Sequence, residues 1–310
     1  MAVPDPVALA HRSALRSIAR VVEETGSPTD PVTARRAVTA QLRDGGVLVI
    51  TGAGVSTESG IPDYRGPHGS LGRHRPMTYQ EFRHDPAASH RYWARSFVGW
   101  REMATARPNP THYAIAELED AGLVTGVVTQ NVDGLHAAAG SRSLLALHGD
   151  LARVICLQCG HTEDRRHLDA RFAAANPGYL EEIRLDPTQV NPDGDVTLDD
   201  THVRRFRMVG CAACGSELLK PDVVYFGEAV PTDRRHRAAQ MLEDASSVLV
   251  AGSSLAVMSG YRLILDAQKQ GKQVSVINGG PGRADDRVDI LWRTSVTPAF
   301  LGLIDGLSLE

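Results

Sequence analysis

Four short apolar runs constrain this chain most: VLVI (Val47–Ile50), LVTGVVTQ (Leu123–Gln130), SVLVAG (Ser247–Gly252) and QVSVING (Gln273–Gly279). VLVI is an apolar, β-branched run of the kind a buried parallel strand shows, and the other three read as strands beside it. The segments between them read as helices. PTHYAIAELEDAG (Pro110–Gly122) is one, opened by Pro and closed by Gly. Strands alternating with helices predict an α/β fold with a doubly wound parallel sheet. Such a sheet binds ligands outside the carboxyl ends of its strands. LLAL (Leu144–Leu147) and VVYF (Val223–Phe226) read as further strands, and the segment from Tyr79 to Ala106 as mostly helical.

The rhythm fails between Leu151 and Leu218. Residues 151–217 are predicted to form an inserted module, splitting a main domain of residues 46–150 and 218–310. Residues 1–45 read as a helical N-terminal extension, broken at GSPTDP (Gly26–Pro31). The insert carries all four cysteines, as Cys156-Leu-Gln-Cys159 and Cys211-Ala-Ala-Cys214. Each C-x-x-C pair can present two thiolates to one metal, and two pairs complete a closed tetrahedral zinc site. A redox pair or disulfides are the alternatives. With four thiolates and no open position, a zinc there is structural. The rest of the insert, around NPGYLEEIRLDPTQVNPDGDVTLDD (Asn176–Asp200), is polar, so folding of the module is expected to depend on the metal.

The chain has 310 residues, is 42% hydrophobic and carries a net charge of -4, which suits a sizeable core and argues against a nucleic-acid binder. Arginines greatly outnumber the three lysines, Lys220, Lys269 and Lys272. No apolar run reaches the roughly 18 residues of a membrane helix. His11–Val22 bears arginines and is faintly amphipathic; it reads as a surface helix, with a transit peptide as the alternative. The expected location is the cytoplasm, where paired cysteines stay reduced.

The chemistry-bearing residues sit at the predicted strand ends. TGAGVSTESGIPDYRG (Thr51–Gly66) starts as a nucleotide-binding turn, with Gly52 and Gly54. Thr57 stands where the dinucleotide fingerprint puts its third glycine, so the spacing is broken. TQNVDGLH (Thr129–His136) offers Gln130, Asn131 and Asp133, suited to ribose hydroxyls, although Asn131 or Asp133 also fits a helix cap. His148 follows the run LLAL and is either structural or a base working near neutral pH. LKPDVVYFGE (Leu219–Glu228), AGSSLAV (Ala251–Val257) and VINGGPGR (Val276–Arg283) each turn on small residues, where backbone N–H groups can meet phosphate.

Taken in order, GAGVSTESGIPDYR, TQNVDGLH, the His-Gly pair, the two C-x-x-C pairs, KPDVVYFGE, GSSL and the Ile-Asn turn resemble the sirtuin family from about Leu42 onward. Sirtuins are NAD-dependent protein lysine deacylases. The resemblance implies a Rossmann-type domain, an inserted small zinc-binding domain and NAD in the cleft between them. It implies that Gly52, Ala53, Gly54, Thr57, Asp63, Tyr64 and Arg65 belong to a cofactor loop. It puts Gln130, Asn131, Val132 and Asp133 at the nicotinamide and its ribose, and Gly252, Ser253 and Ser254 at the phosphates and adenosine ribose. Asn278, Gly279, Gly280 and a backbone contact at Val296 fall on the adenosine side. Asn131 and Asp133 join His148, the general base, in catalysis. Val223, Val224, Phe226, Gly227 and Glu228 pair with substrate backbone as an added strand.

The chemistry implied begins with attack of the acyl-lysine carbonyl oxygen on the nicotinamide ribose and loss of nicotinamide. His148 then helps a ribose hydroxyl attack the acyl carbon, leaving lysine and an acylated ADP-ribose. RYWARSFVGW (Arg91–Trp100), the long insert with PDGDV (Pro192–Val196) and GGPGRADD (Gly279–Asp286) look most like class II sirtuins, the sirtuin-four type, linked to longer acyl groups and ADP-ribosyl transfer. Tyr64, Ser253 and Lys220 stand where Phe, Thr and Arg are frequent. Tyr92-Trp-Ala-Arg95 offers the Tyr-x-x-Arg pair of desuccinylating sirtuins but sits a few residues early, so no preference for acidic acyl groups is predicted. The competing functions are ADP-ribosyltransferase or NAD hydrolase on the same scaffold, and a non-catalytic NAD sensor. The presence of His148, Asn131 and Asp133 together speaks against the sensor. The expected partner is an acyl-lysine protein, with no nucleic acid or membrane.

Overall fold

In the computed structural model, which describes residues 5–67, 69–184 and 190–309, the apolar runs form one parallel sheet. The strands are β1 Val47–Thr51, β2 Val124–Thr129, β3 Leu144–Ala146, β4 Gly149–Cys156, β5 Thr162–Asp164, β6 Leu219–Val223, β7 Ser247–Ala251, β8 Gln273–Ile277 and β9 Ile290–Trp292. The helices are α1 Pro6–Ile18, α2 Pro31–Asp44, α3 Tyr79–His84, α4 Pro86–Thr105, α5 Pro110–Asp120, α6 Leu135–Ala138, α7 Arg165–Ala175, α8 Asp200–Arg205, α9 Thr232–Asp244, α10 Met258–Lys269 and α11 Val296–Leu307.

The main sheet runs β3-β2-β1-β7-β8-β9, parallel throughout. Every residue of β1 and β7 is buried, as strands covered on both faces must be. The chain winds outward from β1 to β3, then returns to place β7 against the free side of β1. This reversal opens a crevice at the carboxyl ends of β1 and β7, where Thr51 pairs in register with Ala251.

A second, antiparallel sheet has the order β5-β4-β6. Here the structure corrects the sequence reading. VVYF is not a strand: the ordered pairing ends at Val223, and the strand is Leu219–Val223, which contains Pro221. Proline cannot donate to a ladder and is confined to edges and bulges. Pro221 meets both conditions, since β6 is an edge strand and its register with β4 slips between Asp150 and Val154.

The second sheet therefore spans Gly149 to Val223, wider than residues 151–217. It is not the whole of the second lobe. Tyr92, Trp93, Phe97 and Trp100 of α4 share a core with Leu151, Val154, Leu168, Phe172, Tyr179, Val196 and Phe206. The lobe is built from two excursions of the chain, and α4 supplies the apolar surface that the cysteine-bearing segment lacks. Trp93 Nε1 donates to the Leu219 carbonyl at 2.9 Å. Arg165, fully buried, donates to Ser96 Oγ at 3.1 Å and to its carbonyl at 3.0 Å. Its guanidinium lies 5.0 Å from the Trp93 ring centroid, so its charge is held by a carbonyl and an aromatic face. Residues 185–189 of the polar section lie outside the described residues.

The N-terminal 45 residues also divide. Ala34, Val38 and Leu42 of α2 pack with Val47, Val49 and Phe300, so α2 belongs to the main domain. Asp30 caps it and Pro31 opens it. No described helix is long and apolar enough to cross a membrane.

Under the carboxyl end of β1 two imidazoles pack at a tilt. His112 of α5 and His136 of α6 have ring centroids 4.8 Å apart, and His136 Nε2 bonds Thr51 Oγ1 at 2.9 Å. Burial holds both rings neutral, lowering His112 to about 4 and His136 to about 3. Since the folded values lie below the ordinary 6.5, the unfolded chain binds protons that the folded chain does not. Stability contributed by the neutral pair is intact above pH 6.5 and declines as pH falls toward 4. By pH 5 each ring is expected to cost about 2 kcal/mol. Urea denaturation at pH 7 and pH 5 measures this, and a His136→Gln variant is expected to show a flatter pH dependence; an equal dependence would exclude the pair as its source.

Candidate active site

Two glycine turns interlock at the crevice. A Cβ on Gly54 would lie 2.8 Å from the Gly252 carbonyl oxygen, and one on Gly252 would lie 2.6 Å from the Val55 nitrogen. Both obstacles are backbone, so neither position admits a side chain. Gly252 also has φ +58°, where glycine is favoured. After Gly52 the chain forms two short 3-10 turns, Ala53–Val55 and Thr57–Ser59, instead of a long helix. That is the physical content of the broken glycine spacing: the segment is shaped for side-chain and backbone contacts along a loop.

The buried hydroxyl of Ser56 organises the polar floor. It donates to Asp133 Oδ2 at 2.7 Å and accepts from Asn131 Nδ2 at 3.0 Å. Asn131 Nδ2 also reaches the Gly52 carbonyl at 3.1 Å. Asp133 Oδ1 accepts from the Leu135 N–H at 2.9 Å. Asp133 thus closes an Asx turn ahead of α6, whose N-cap is Gly134, and is a wall of the cleft. Burial raises its pKa, opposed by the hydrogen bonds from Leu135 and Ser56. Gln130 Nε2 donates to Ser253 Oγ at 2.8 Å, tying the end of β2 to the turn after β7.

His148 stands where the two sheets meet. Its Nδ1 lies 3.0 Å from the Gln130 carbonyl oxygen. A carbonyl only accepts, so Nδ1 carries the proton and Nε2 holds the lone pair. Nε2 sits 2.7 Å from Ser259 Oγ, which donates to it. Burial lowers the pKa to about 4, so the ring is a neutral base throughout the physiological range.

The lip opposite the glycine turns is the segment Val223–Glu228. The buried Lys220 ammonium pairs with Glu228 Oε2 at 3.1 Å and donates to the Val223 carbonyl at 2.5 Å. Glu228 Oε2 also accepts from the Tyr225 N–H at 2.9 Å. On one side the lip is anchored by the Tyr79 N–H on the Phe226 carbonyl at 2.9 Å. Tyr64 of the Thr51–Gly66 loop meets Phe226 edge-on, with centroids 6.1 Å apart. Asp63 Oδ1 accepts from the Gly66 N–H at 2.9 Å and shapes that loop.

Together these walls enclose a cleft of about 1490 Å3. A site for one small molecule occupies roughly 300–1,000 Å3, so there is room for a dinucleotide and an entering side chain. Among the expected cofactor residues, Gly52, Ala53, Gly54, Asp63, Tyr64, Arg65, Gln130, Asn131, Val132, Asp133, Gly252, Ser253, Ser254, Asn278 and Gly280 line it, as do His148 and the lip. Three do not. Thr57 is exposed and spends its hydroxyl on the Gly54 carbonyl at 3.2 Å, because the 3-10 turn directs Ser56 inward instead. Gly279 is exposed on the outer side of its turn, where Gly280 is the residue that reaches the cleft. The Val296 side chain is packed in the core beneath the sheet at the start of α11. Ser56, Ser259 and Lys220 were given no role from the sequence, although Ser56 and Lys220 lie within the matched motifs.

Tyr92 also lines the cleft, and Arg95 directs its charge to buried Asp195, 3.9 Å away, where His74 Nε2 sits at 3.2 Å. The role of the N-terminal residues, open from sequence, is visible: Ala14, Ser17, Ile18 and Arg20 form a wall of the same cleft.

The four cysteine sulfurs lie within 4.8 Å of one another, with Cys156–Cys214 at 3.7 Å and Cys159–Cys211 at 3.8 Å. A tetrahedron with Zn–S bonds of about 2.3 Å has edges of about 3.8 Å. The donors fit zinc, and sulfurs at these separations are thiols and not disulfides.

The fold and cleft define a dinucleotide-binding enzyme with the cleft bordered by its second lobe. The Sir2 family pattern matches residues 52–259, and the chain belongs to that family. It is similar to NAD-dependent protein deacetylase 1 of Corynebacterium efficiens, 70% identical over 86% of this chain and 95% of the relative. It is also similar to human mitochondrial NAD-dependent protein lipoamidase sirtuin-4, 45% identical over 77% of this chain and 76% of the relative. The solved structure described as "Sir2-p53 peptide-NAD+" aligns at TM-score 0.69 and 27% identity, covering 89% of this chain and 99% of the other.

Proposed function

We propose that this chain is an NAD-dependent protein lysine deacylase in which His148 is the general base. The observation that carries the reading is the fixed tautomer of His148. A neutral imidazole with its lone pair held toward the cleft stands between the dinucleotide turns and the peptide lip. Bound NAD supplies an electrophilic ribose carbon and a nicotinamide leaving group. The chain's own groups do the rest. Asn131 and Asp133, locked through Ser56, orient the ribose. The Lys220–Glu228 pair fixes the position of the lip for backbone pairing with a peptide. The enclosed cleft excludes water from a cationic transition state. The four thiolates hold one structural zinc and suit a reducing compartment such as the cytoplasm. The reading does not extend to acyl chains ending in a carboxylate, because the Arg95 guanidinium faces Asp195.

Nicotinamide release from NAD, followed with peptides carrying acetyl, medium-chain, long-chain, lipoyl and succinyl lysine, tests this. Release is expected to depend on peptide and to match lysine formation. Peptide-independent release, or ADP-ribosylated protein without acyl-ADP-ribose, would replace deacylase with hydrolase or transferase.

A further inference from the structure

The N-terminal helix is tied to the cofactor loop and to both rims of the cleft. Ala14 and Ile18 are its buried residues. Ala14 Cβ sits so near the lip that a Cβ on Gly227 would fall 2.8 Å from it. His11 Nδ1 bonds Thr78 Oγ1 at 3.0 Å, beside the Thr78–Phe226 bridge that anchors the lip. At the other end of α1, the Arg65 guanidinium donates to the Ser17 carbonyl at 3.2 Å and to the Arg20 carbonyl at 3.5 Å. The last carbonyls of a helix are unpaired acceptors at its negative end, so a guanidinium is a fitting partner. The chain then runs to the adenosine side, where Glu24 Oε1 pairs with Arg293 at 2.5 Å and the Thr29 N–H reaches the Leu291 carbonyl at 2.8 Å. Residues 11–29 thus cross from the peptide lip over the cofactor loop to the far rim. The cleft stays open beneath them, so they are a wall and not a plug.

We propose that α1 and the segment after it are a positioning element for the reaction: through the Ser17 and Arg20 carbonyls they hold Arg65 and the cofactor loop over NAD, and they keep water from the reacting ribose. The proposal rests on the deacylase reading of the cleft. With the wall undocked, NAD binds to a looser loop. Water then competes with the acyl oxygen. Its oxygen bonds to the ribose carbon as the bond to the nicotinamide nitrogen breaks. Nicotinamide leaves neutral, ADP-ribose forms, and the proton goes to solvent.

The first test uses the unaltered full chain. Hydrogen exchange of residues 6–18 is expected to slow at least several-fold when NAD is added, because loop ordering and helix docking favour each other reciprocally. Unchanged exchange at saturating NAD overturns the proposal, whatever the acyl assay shows. The second test uses Ile18→Asp, with Ala14→Arg as a separate variant should Ile18→Asp fail to fold. Both are expected to raise the KM for NAD about tenfold, corresponding to roughly 1.4 kcal/mol of lost binding. They are also expected to raise the ratio of nicotinamide released to lysine formed, with a smaller effect on kcat. A merely structural helix would lower the folded fraction and leave that ratio unchanged, and an unchanged ratio in a folded variant overturns the proposal.

Discussion

Replacing His148 with alanine is expected to lower kcat/KM for deacylation by roughly 10²- to 10⁴-fold, the range associated with a positioned general base. The fold is expected to survive. The substitution leaves the Gln130 carbonyl and the Ser259 hydroxyl without their imidazole partner, a loss of about 1–3 kcal/mol if both stay buried. Steady-state kinetics with an acylated peptide, beside a thermal melt, separate the two effects. A Ser259→Ala variant is the informative contrast. Ser259 donates to Nε2 and is not itself the base, so its removal is expected to change kcat/KM by far less than removal of the ring. If His148→Ala retains near wild-type turnover, the imidazole is structural and the base lies elsewhere.

The second large effect is expected from the cysteines. Substituting Cys211 by Ser, or stripping the metal with a chelator, is expected to remove one zinc per chain and to abolish peptide-dependent activity. Cys156 and Cys211 are buried; Cys156 ends β4, and Cys211 opens the turn that precedes β6. Structural zinc in small finger peptides is worth roughly 10–16 kcal/mol at pH 7, more than the whole stability of many domains. The apolar core shared with α4 moderates this, so the lobe is expected to loosen while the parallel sheet persists. Metal analysis, near-ultraviolet dichroism from the lobe's aromatics and residual NAD binding check the outcome. Full activity in a metal-free protein would assign the four thiols no structural role.

The main sheet was legible in the sequence because burial on both faces leaves a local trace: β1 and β7 are nearly continuous apolar runs, and β2 and β8 are rich in valine. β9 has three residues, too few to show a pattern, and β6 contains a proline that masks it. The two-excursion lobe left no local trace at all. Its contacts, such as Trp93 to Leu219, span 126 residues and obey no short period. In the site, Asn131, Asp133 and His148 were readable as polar residues ending apolar runs. Choosing Ser56 over Thr57 required the geometry of a 3-10 turn, which two adjacent hydroxyls do not encode. The wall built by α1 was equally hidden, since Ala14 and Ile18 read as an ordinary amphipathic face.

The scarcity of lysine takes on meaning beside the site. The chain has three lysines. Lys220 is 4% exposed and clamped between Glu228 and two backbone carbonyls. Lys272 caps the carboxyl end of α9, its ammonium donating to the carbonyls of Leu242, Glu243 and Ala245. Only Lys269 extends freely, paired loosely with Asp266 on the surface of α10. Arginine, which carries the remaining positive charge, forms no amide with an activated acyl group. A protein built this way is nearly inert to the chemical mark it removes. Reactive acyl donors find one ready lysine amine on it, and its own copies make poor competitors for the cleft.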